Sequence, residues 1–178
     1  MTARLFIQYV PVLALLAVAC CTDLRARRSP NWLTFSMMLA GLLQSFTAIR
    51  TVGPAGSMLG LLSGLGLTFV LFALGALGGG DVKLMAGVGA WIGPGPVVAV
   101  FAVTSLIGMV IVLVQAGWQG RLRSLLTNTT VLTINLVHLQ DVGIKHAQAT
   151  GQSCRSVDRP LPYAVPVFLA VLLILARQ

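Results

Sequence analysis

Residues 75–87, GALGGGDVKLMAG, place three consecutive glycines, an aspartate and a lysine between two long apolar runs. The chain around this stretch is 57% hydrophobic and only 9% charged. A soluble domain carries roughly 25% charged residues, so this chain could not cover itself with a water-compatible surface. Long apolar runs, rather than short alternating ones, predict a helical membrane protein. A carboxylate in such a chain therefore needs a specific explanation.

Six apolar segments predict an all-α membrane protein, a bundle of about six transmembrane helices that forms one domain over residues 1–178. A hydrocarbon core of about 30 Å takes about 20 helical residues, and five of the segments approach or exceed that length. The sixth is short, because the sequence GPGP at 93–96 ends it. The predicted helices are 5–22, 32–49, 55–77, 82–93, 96–118 and 161–176, and the predicted cytoplasmic loop is 119–160.

Basic residues predict the orientation of the bundle and argue against nucleic-acid binding. With six crossings and an outer N-terminus, nine Lys and Arg residues lie inside and three outside, as the positive-inside rule requires. The net charge of +8 is explained by topology and headgroup contact, since no basic stripe is interleaved with aromatic residues. The three cysteines form no CxxC pair and no His/Cys set with metal-ligand spacing, so we expect no metal or cofactor.

Asp23 and Asp81 are two of only four acidic residues, and the predicted topology puts both at the inner membrane boundary. A carboxylate at that depth costs about 3 kcal/mol or more. Two facing carboxyls would share one proton, and such a pair around a water molecule can hydrolyse a peptide bond. Two structural alternatives stay open: Asp23 could pair with Arg25 or Arg27, and Asp81 could cap a helix that begins at Val82.

The residues around Asp81 are also candidates for contact with a substrate. Gly78, Gly79 and Gly80 leave space in which an extended substrate backbone could approach closely. Lys83 does not share a helix face with Asp81, because residues two apart point in different directions. We therefore expect Lys83 to anchor at lipid headgroups or to touch the substrate.

The two aspartate motifs resemble those of the type IV prepilin peptidases. GGGDVKLMAGVGAWIG, from position 78, resembles the family's GxGD signature, with Gly78, Gly80 and Asp81 at the named positions. DLRARRSPNW, from position 23, is similar to the family's first motif, and RPLPYAVPVFLA, from position 159, to the Pro-Tyr start of its last helix. The resemblance implies that Asp23 and Asp81 are the catalytic pair. Other residues of the two aspartate motifs are expected to bind substrate or shape the site: Gly78, Gly79, Gly80, Lys83, Arg25, Pro30 and Asn31.

The same resemblance implies an aspartic endopeptidase of the bacterial inner membrane, which cuts the leader from prepilin or pseudopilin precursors at the cytoplasmic face. The expected partners are those precursors and the lipid bilayer; the expected topology is multi-pass with a periplasmic N-terminus. Larger members carry a region with paired CxxC motifs that N-methylates the product, and nothing here resembles it. The small, peptidase-only form resembles the tight-adherence (Flp) pilus branch. The oligomeric state stays open.

Two other functions compete with this prediction. A small ion- or proton-coupled transporter would use Asp23 and Asp81 as a relay. Such a protein favours acids near the bilayer midplane and helix breaks in pseudo-symmetric positions, whereas here both acids lie at one boundary and one break is clear. A non-catalytic assembly subunit of a pilus or secretion machine would not need both aspartates.

Overall fold

The computed structural model describes residues 3–26, 30–47, 52–73, 77–118 and 163–176, and every regular element within these ranges is a helix. The all-α prediction is therefore confirmed for this part of the chain. The predicted cytoplasmic loop at 119–160 lies outside the described residues. The helices are α1 (Ala3–Ala26), α2 (Asn31–Gln44), α3 (Pro54–Ala73), α4 (Gly79–Ile92), α5 (Pro94–Trp118) and α6 (Ala164–Ala176).

Two of the described helices, α3 and α5, are long and apolar enough to cross a membrane. Both expose large apolar side chains, such as Phe69 and Leu106, on surfaces that lipid can cover. By contrast, α2 and α4 have 14 residues each. At 1.5 Å per residue they are about 21 Å long, shorter than a hydrocarbon core of about 30 Å. Crossing of the membrane by all six segments thus stays a prediction.

The start of α4 differs from the prediction, and the difference moves the candidate aspartate into the helix. The helix begins at Gly79 rather than at residue 82, so Gly79, Gly80 and Asp81 form its first turn. The cause is local hydrogen bonding: the backbone N–H groups of Asp81 and Val82 both donate to the carbonyl of Gly78. The glycines are therefore helical or cap the helix, and do not form a loop in front of it.

The break after α4 is confirmed, whereas α2 ends earlier than predicted. Gly93 has φ 83°, a left-handed conformation that suits glycine, and α5 begins directly at Pro94. Proline is favoured at a first helical position because the N–H that it lacks would have no partner there. α2 ends at Gln44 rather than at residue 49, and the hydroxyls of Ser45 and Thr47 donate to carbonyls of its last turn. Such side-chain bonds compete with continued helix.

The short helix α4 lies at the centre of the described bundle. It packs most extensively against α3 and then α2, and it also contacts α5 and α6. Residues 84–92 are all buried, which fits a helix that other helices surround. α1 packs against α6 and α2. The core of the described chain therefore encloses α4 and supports the position of its first turn.

Small residues allow α3 and α4 to come unusually close. The buried residues of α3 are all small, namely Ser57, Gly60, Gly64 and Thr68. A Cβ atom placed on Gly60 would collide with the carbonyl oxygen of Gly89 on α4. Small residues at three- and four-residue spacing are a common means of close helix packing in membranes. The sequence predicted only an apolar segment here. The structure shows that the small residues of this segment also form the close contact with α4.

Buried side-chain hydrogen bonds tie α2, α3 and α4 together. The hydroxyl of Ser57 lies 2.7 Å from the carbonyl oxygen of Ala90 and 3.2 Å from that of Gly41. The indole N–H of Trp91 donates to the carbonyl oxygen of Met37 at 3.0 Å. Because these bonds join three helices away from water, they fix the register of α4 against its neighbours.

Candidate active site

Asp23 is buried near the C-terminal end of α1, with 5% of its surface exposed. Its Oδ2 accepts a hydrogen bond of 3.1 Å from the backbone N–H of Ala164, the first residue of α6. The first N–H groups of a helix have no partner within the helix, so the carboxylate satisfies one of them. Cys20, one turn earlier on α1, donates from Sγ to the Ala164 carbonyl at 3.2 Å. Two side chains of α1 thus bind the backbone N–H and the carbonyl of Ala164, at the start of α6.

Asp81 occupies the first turn of α4, where its carboxylate bends back over the start of the helix. Its Oδ2 accepts a hydrogen bond of 3.2 Å from the backbone N–H of Gly78. A Cβ atom on Gly78 would lie only 3.2 Å from the same oxygen, so a side chain there would crowd the carboxylate. The positive end of the helix dipole also favours a negative charge in the first turn.

The two structural alternatives for the aspartates have different outcomes. Among the described residues, the partner of Asp23 is a backbone N–H rather than Arg25, whose side chain is exposed. Arg27 lies outside the described residues. Asp81 does cap a helix, because it accepts from Gly78, but it does so from inside the first turn. A carboxylate has about four acceptor sites, so one capping hydrogen bond leaves the others able to bind water or a substrate.

Both carboxyls hold a proton more tightly than an ordinary aspartic acid does, and both lie outside the two apolar spans α3 and α5. Burial raises the pKa of Asp81 from 3.8 to about 6, with the Gly78 hydrogen bond lowering it and the charge of Asp23 raising it. Burial also raises the pKa of Asp23, while the hydrogen bond from Ala164 lowers it. The effect of Asp23 on Asp81 means that the two carboxyls lie within electrostatic range of each other. Near neutral pH such a pair can hold one proton between two groups.

Tyr163, which was not among the predicted site residues, adjoins the residue whose N–H binds Asp23 and lies within electrostatic range of Asp81. It immediately precedes Ala164, and its half-buried side chain packs against the hydrophobic core. Burial and the charge of Asp81 both raise the pKa of its phenol, so the hydroxyl stays protonated at neutral pH. A signal was present in the sequence, because the Pro-Tyr pair before the last apolar run supported the family resemblance. No role was assigned to it there.

Lys83 and Asn31, two of the predicted site residues, contact each other. The Lys83 ammonium donates to Asn31 Oδ1 at 3.0 Å, and this bond joins the first turn of α4 to the first residue of α2. Both side chains are exposed, so the bond contributes little to stability. Contact of Lys83 with headgroups or substrate stays a prediction, but the structure gives this lysine a partner within the protein.

The remaining predicted site residues either form the starts of helices through their backbone or are exposed at the surface. Pro30 precedes α2, and its carbonyl accepts two backbone N–H groups from the first turn of that helix. Arg25 is exposed in the last turn of α1, where a positive charge suits the helix dipole. Gly79 and Gly80 lie in the first turn of α4, and a Cβ on Gly79 would make only an ordinary contact with Phe72. Crowding within the protein therefore does not require glycine at position 79.

Four helix ends thus meet at the candidate site: the C-terminal end of α1 and the N-terminal ends of α2, α4 and α6. At the starts of α4 and α6 a backbone N–H donates to Asp81 and to Asp23 respectively, which partly offsets the cost of shielding these carboxyls from water. Within the described ranges, no group of three or more His, Cys, Asp or Glu side chains could hold a metal ion. The chemistry that the described side chains can carry is therefore acid–base chemistry by a carboxyl pair.

The fold and the site define a helical membrane protein with two carboxyls at helix ends, one buried and the other half-buried. Comparison with known families makes the class specific, because the model of the type IV leader peptidase family matches residues 11–113. The chain belongs to this family and is a peptidase, and the resemblance inferred from the motifs is confirmed. The matched residues include Asp23 and Asp81 and reach from α1 into α5, whereas α6 lies outside the match. No curated protein and no solved structure matches the chain significantly.

Proposed function

We propose that this peptidase is an aspartic endopeptidase of the bacterial inner membrane, which removes the leader from type IV prepilin or pseudopilin precursors at the cytoplasmic face. The observation that carries the proposal is the pair Asp23 and Asp81: Asp23 is buried, Asp81 is half-buried, and the charge of Asp23 raises the pKa of Asp81. Membership of the leader peptidase family supports the substrate class.

In the proposed reaction the two carboxyls act as one acid–base pair that holds a single proton. The ionised carboxylate takes a proton from a water molecule as the water oxygen bonds to the carbonyl carbon of the scissile peptide. The protonated carboxyl gives its proton to the carbonyl oxygen. The C–N bond then breaks as the leaving nitrogen receives a proton from the carboxyl that took it from water, while one hydroxyl of the tetrahedral intermediate returns its proton to the other carboxylate. The products are a leader with a new carboxyl terminus and a mature chain with a free amino terminus.

The position of the site supports a substrate that reaches the membrane boundary from within the bilayer. The carboxyls lie at helix ends, outside the two apolar spans, while the outer faces of those spans can contact lipid. A precursor with an apolar stem would lie beside the helices, and its basic leader would extend to the inner boundary. The excess of Lys and Arg in the predicted inner connections supports this orientation. The absence of CxxC pairs in the sequence supports a peptidase without N-methyltransferase activity.

Co-expression with a precursor of the Flp-pilin type, carrying a basic leader that ends in glycine, tests this function. We expect the precursor to become shorter on a gel, and mass spectrometry to find a mature amino terminus without an added methyl group. Cells without the peptidase provide the negative control, and an established leader peptidase that cuts the same precursor provides the positive one. A precursor that this positive control cuts and that stays full-length with this protein would refute the proposal.

The pH dependence of cleavage provides a second prediction. The carboxyl pair needs one proton, and the Asp81 carboxyl, with a pKa of about 6, loses that proton as the pH rises. We therefore expect kcat/KM to fall on the alkaline side with an apparent pKa of about 6 or higher, instead of the 3.8 of an ordinary aspartic acid. On the acid side the rate falls again, because both carboxyls become protonated. A rate that keeps rising through the whole alkaline range would mean that a fully ionised pair works, contrary to the proposal.

A further inference from the structure

The hydroxyl of Tyr163 is a group near the carboxyl pair that the proposed mechanism does not use. Asp23 is tied to Ala164, and Asp81 is tied to Gly78. Each carboxyl therefore has a fixed position, which a reaction at one particular peptide bond requires. Among the described residues, by contrast, no hydrogen bond engages the hydroxyl of Tyr163, although the ring itself is held against the core.

The backbone fixes the position of Tyr163 relative to both aspartates. Its neighbour Ala164 donates to Asp23, and its own carbonyl accepts the N–H of Val167 as the first bond of α6. Tyr163 therefore directly precedes α6, next to the residue whose N–H binds Asp23. Asp81 acts electrostatically on the phenol, which is consistent with a ring that lies close to both carboxyls.

We propose that the Tyr163 hydroxyl donates a hydrogen bond to the carbonyl oxygen of the scissile peptide and stabilises it as the tetrahedral intermediate forms. This inference rests on the proposed peptidase function and adds a third group to it. During attack by water the carbonyl oxygen gains electron density, and a donor aimed at that oxygen stabilises the transition state more than the ground state. The phenol keeps its proton throughout, so the proton transfers remain those of the aspartate pair.

The chemistry of the phenol suits this role. The donor must stay neutral and protonated beside a carboxylate, and a tyrosine that is partly shielded from water does so across the neutral pH range. A neutral donor also avoids an ion pair with Asp81, which would remove the proton-sharing between the two carboxyls. Tyr163 lies outside the residues that the family model matches.

The chain contains two tyrosines, and this provides a matched pair of variants. Tyr163→Phe removes the hydroxyl and keeps the ring, while Tyr9→Phe makes the same change in the buried core of α1. We expect Tyr163→Phe to lower kcat for precursor cleavage by about 100-fold, with KM changed by no more than about twofold. Tyr9→Phe should leave kcat unchanged. Thermal unfolding of each purified variant in detergent shows whether its fold is retained.

Tyr163→Ala removes both the ring and the hydroxyl, so comparison with Tyr163→Phe separates the effects of the two groups. If the hydroxyl acts on the substrate, Phe and Ala at this position should lower kcat to a similar extent, although Ala should also lower the unfolding temperature. If Tyr163 only packs against the core, Phe should cleave at the wild-type rate, and that result would overturn the inference. It would leave the peptidase function intact, because the wild-type protein would still process the precursor. Failure of the wild-type protein itself would instead refute the proposed function.

Discussion

Replacing Asp81 with asparagine is expected to abolish leader removal, with a loss of about 1,000-fold or more in the cleavage rate, and Asp23→Asn is expected to do the same. Asparagine keeps an oxygen that can accept the hydrogen bonds from Gly78 and Ala164, so both variants should fold. What each variant loses is the ability to hold or release the shared proton. The measurement is the fraction of precursor shortened in co-expression, followed over time on a gel.

Asp141→Asn is the control for this pair of variants. Asp141 is one of the two remaining acids and belongs to the long segment between α5 and α6, outside the described residues. Asp141→Asn changes the net charge of the chain by the same amount as either site variant, and we expect it to cleave the precursor at the wild-type rate. Membrane fractionation should recover all three variants at comparable levels. Wild-type cleavage by either site variant would show that the carboxyl pair is not the catalytic group.

Gly60→Ala is expected to have the largest effect on stability, although it lies away from the candidate site. A methyl group there would collide with the carbonyl oxygen of Gly89, and a backbone atom in a central helix cannot move aside. Overpacking of this kind costs about 3 kcal/mol. For a chain of this size that corresponds to a fall of about 10 °C in the unfolding temperature. Thermal unfolding of the purified protein in detergent measures the effect.

Gly66→Ala is the matched control, since it makes the same change on the same helix. No atom lies within 4 Å of a Cβ built at Gly66, and the position is exposed. Alanine has a higher helix propensity than glycine by about 1 kcal/mol, so stability should stay the same or rise slightly. Equal effects of the two alanines would show that helix propensity, and not the contact between α3 and α4, governs stability at these positions.

The candidate site could be predicted from the sequence to the extent that its members are chemically unusual. Asp23 and Asp81 were identified because acids are rare in this chain and costly near a membrane, and in the structure the charge of Asp23 raises the pKa of Asp81. For Gly78 the sequence predicted only space for a substrate backbone. In the structure the missing side chain also leaves room for the carboxylate of Asp81. No role was predicted for Tyr163, although its Pro-Tyr pair supported the family resemblance, because its proximity to Asp23 and Asp81 depends on how α1, α4 and α6 pack.

The sequence by itself determined the class of the protein: a helical bundle for the membrane, with two aspartates that need a function. Those conclusions depend on composition, on the length of apolar runs and on neighbouring residues in the motifs, all of which are local. Only the tertiary structure decided that the first N–H of α6 binds Asp23, that Lys83 contacts Asn31, and that α3 and α4 approach through glycine. The partners in these contacts are between about 30 and 140 residues apart, and such pairings follow from how the helices pack.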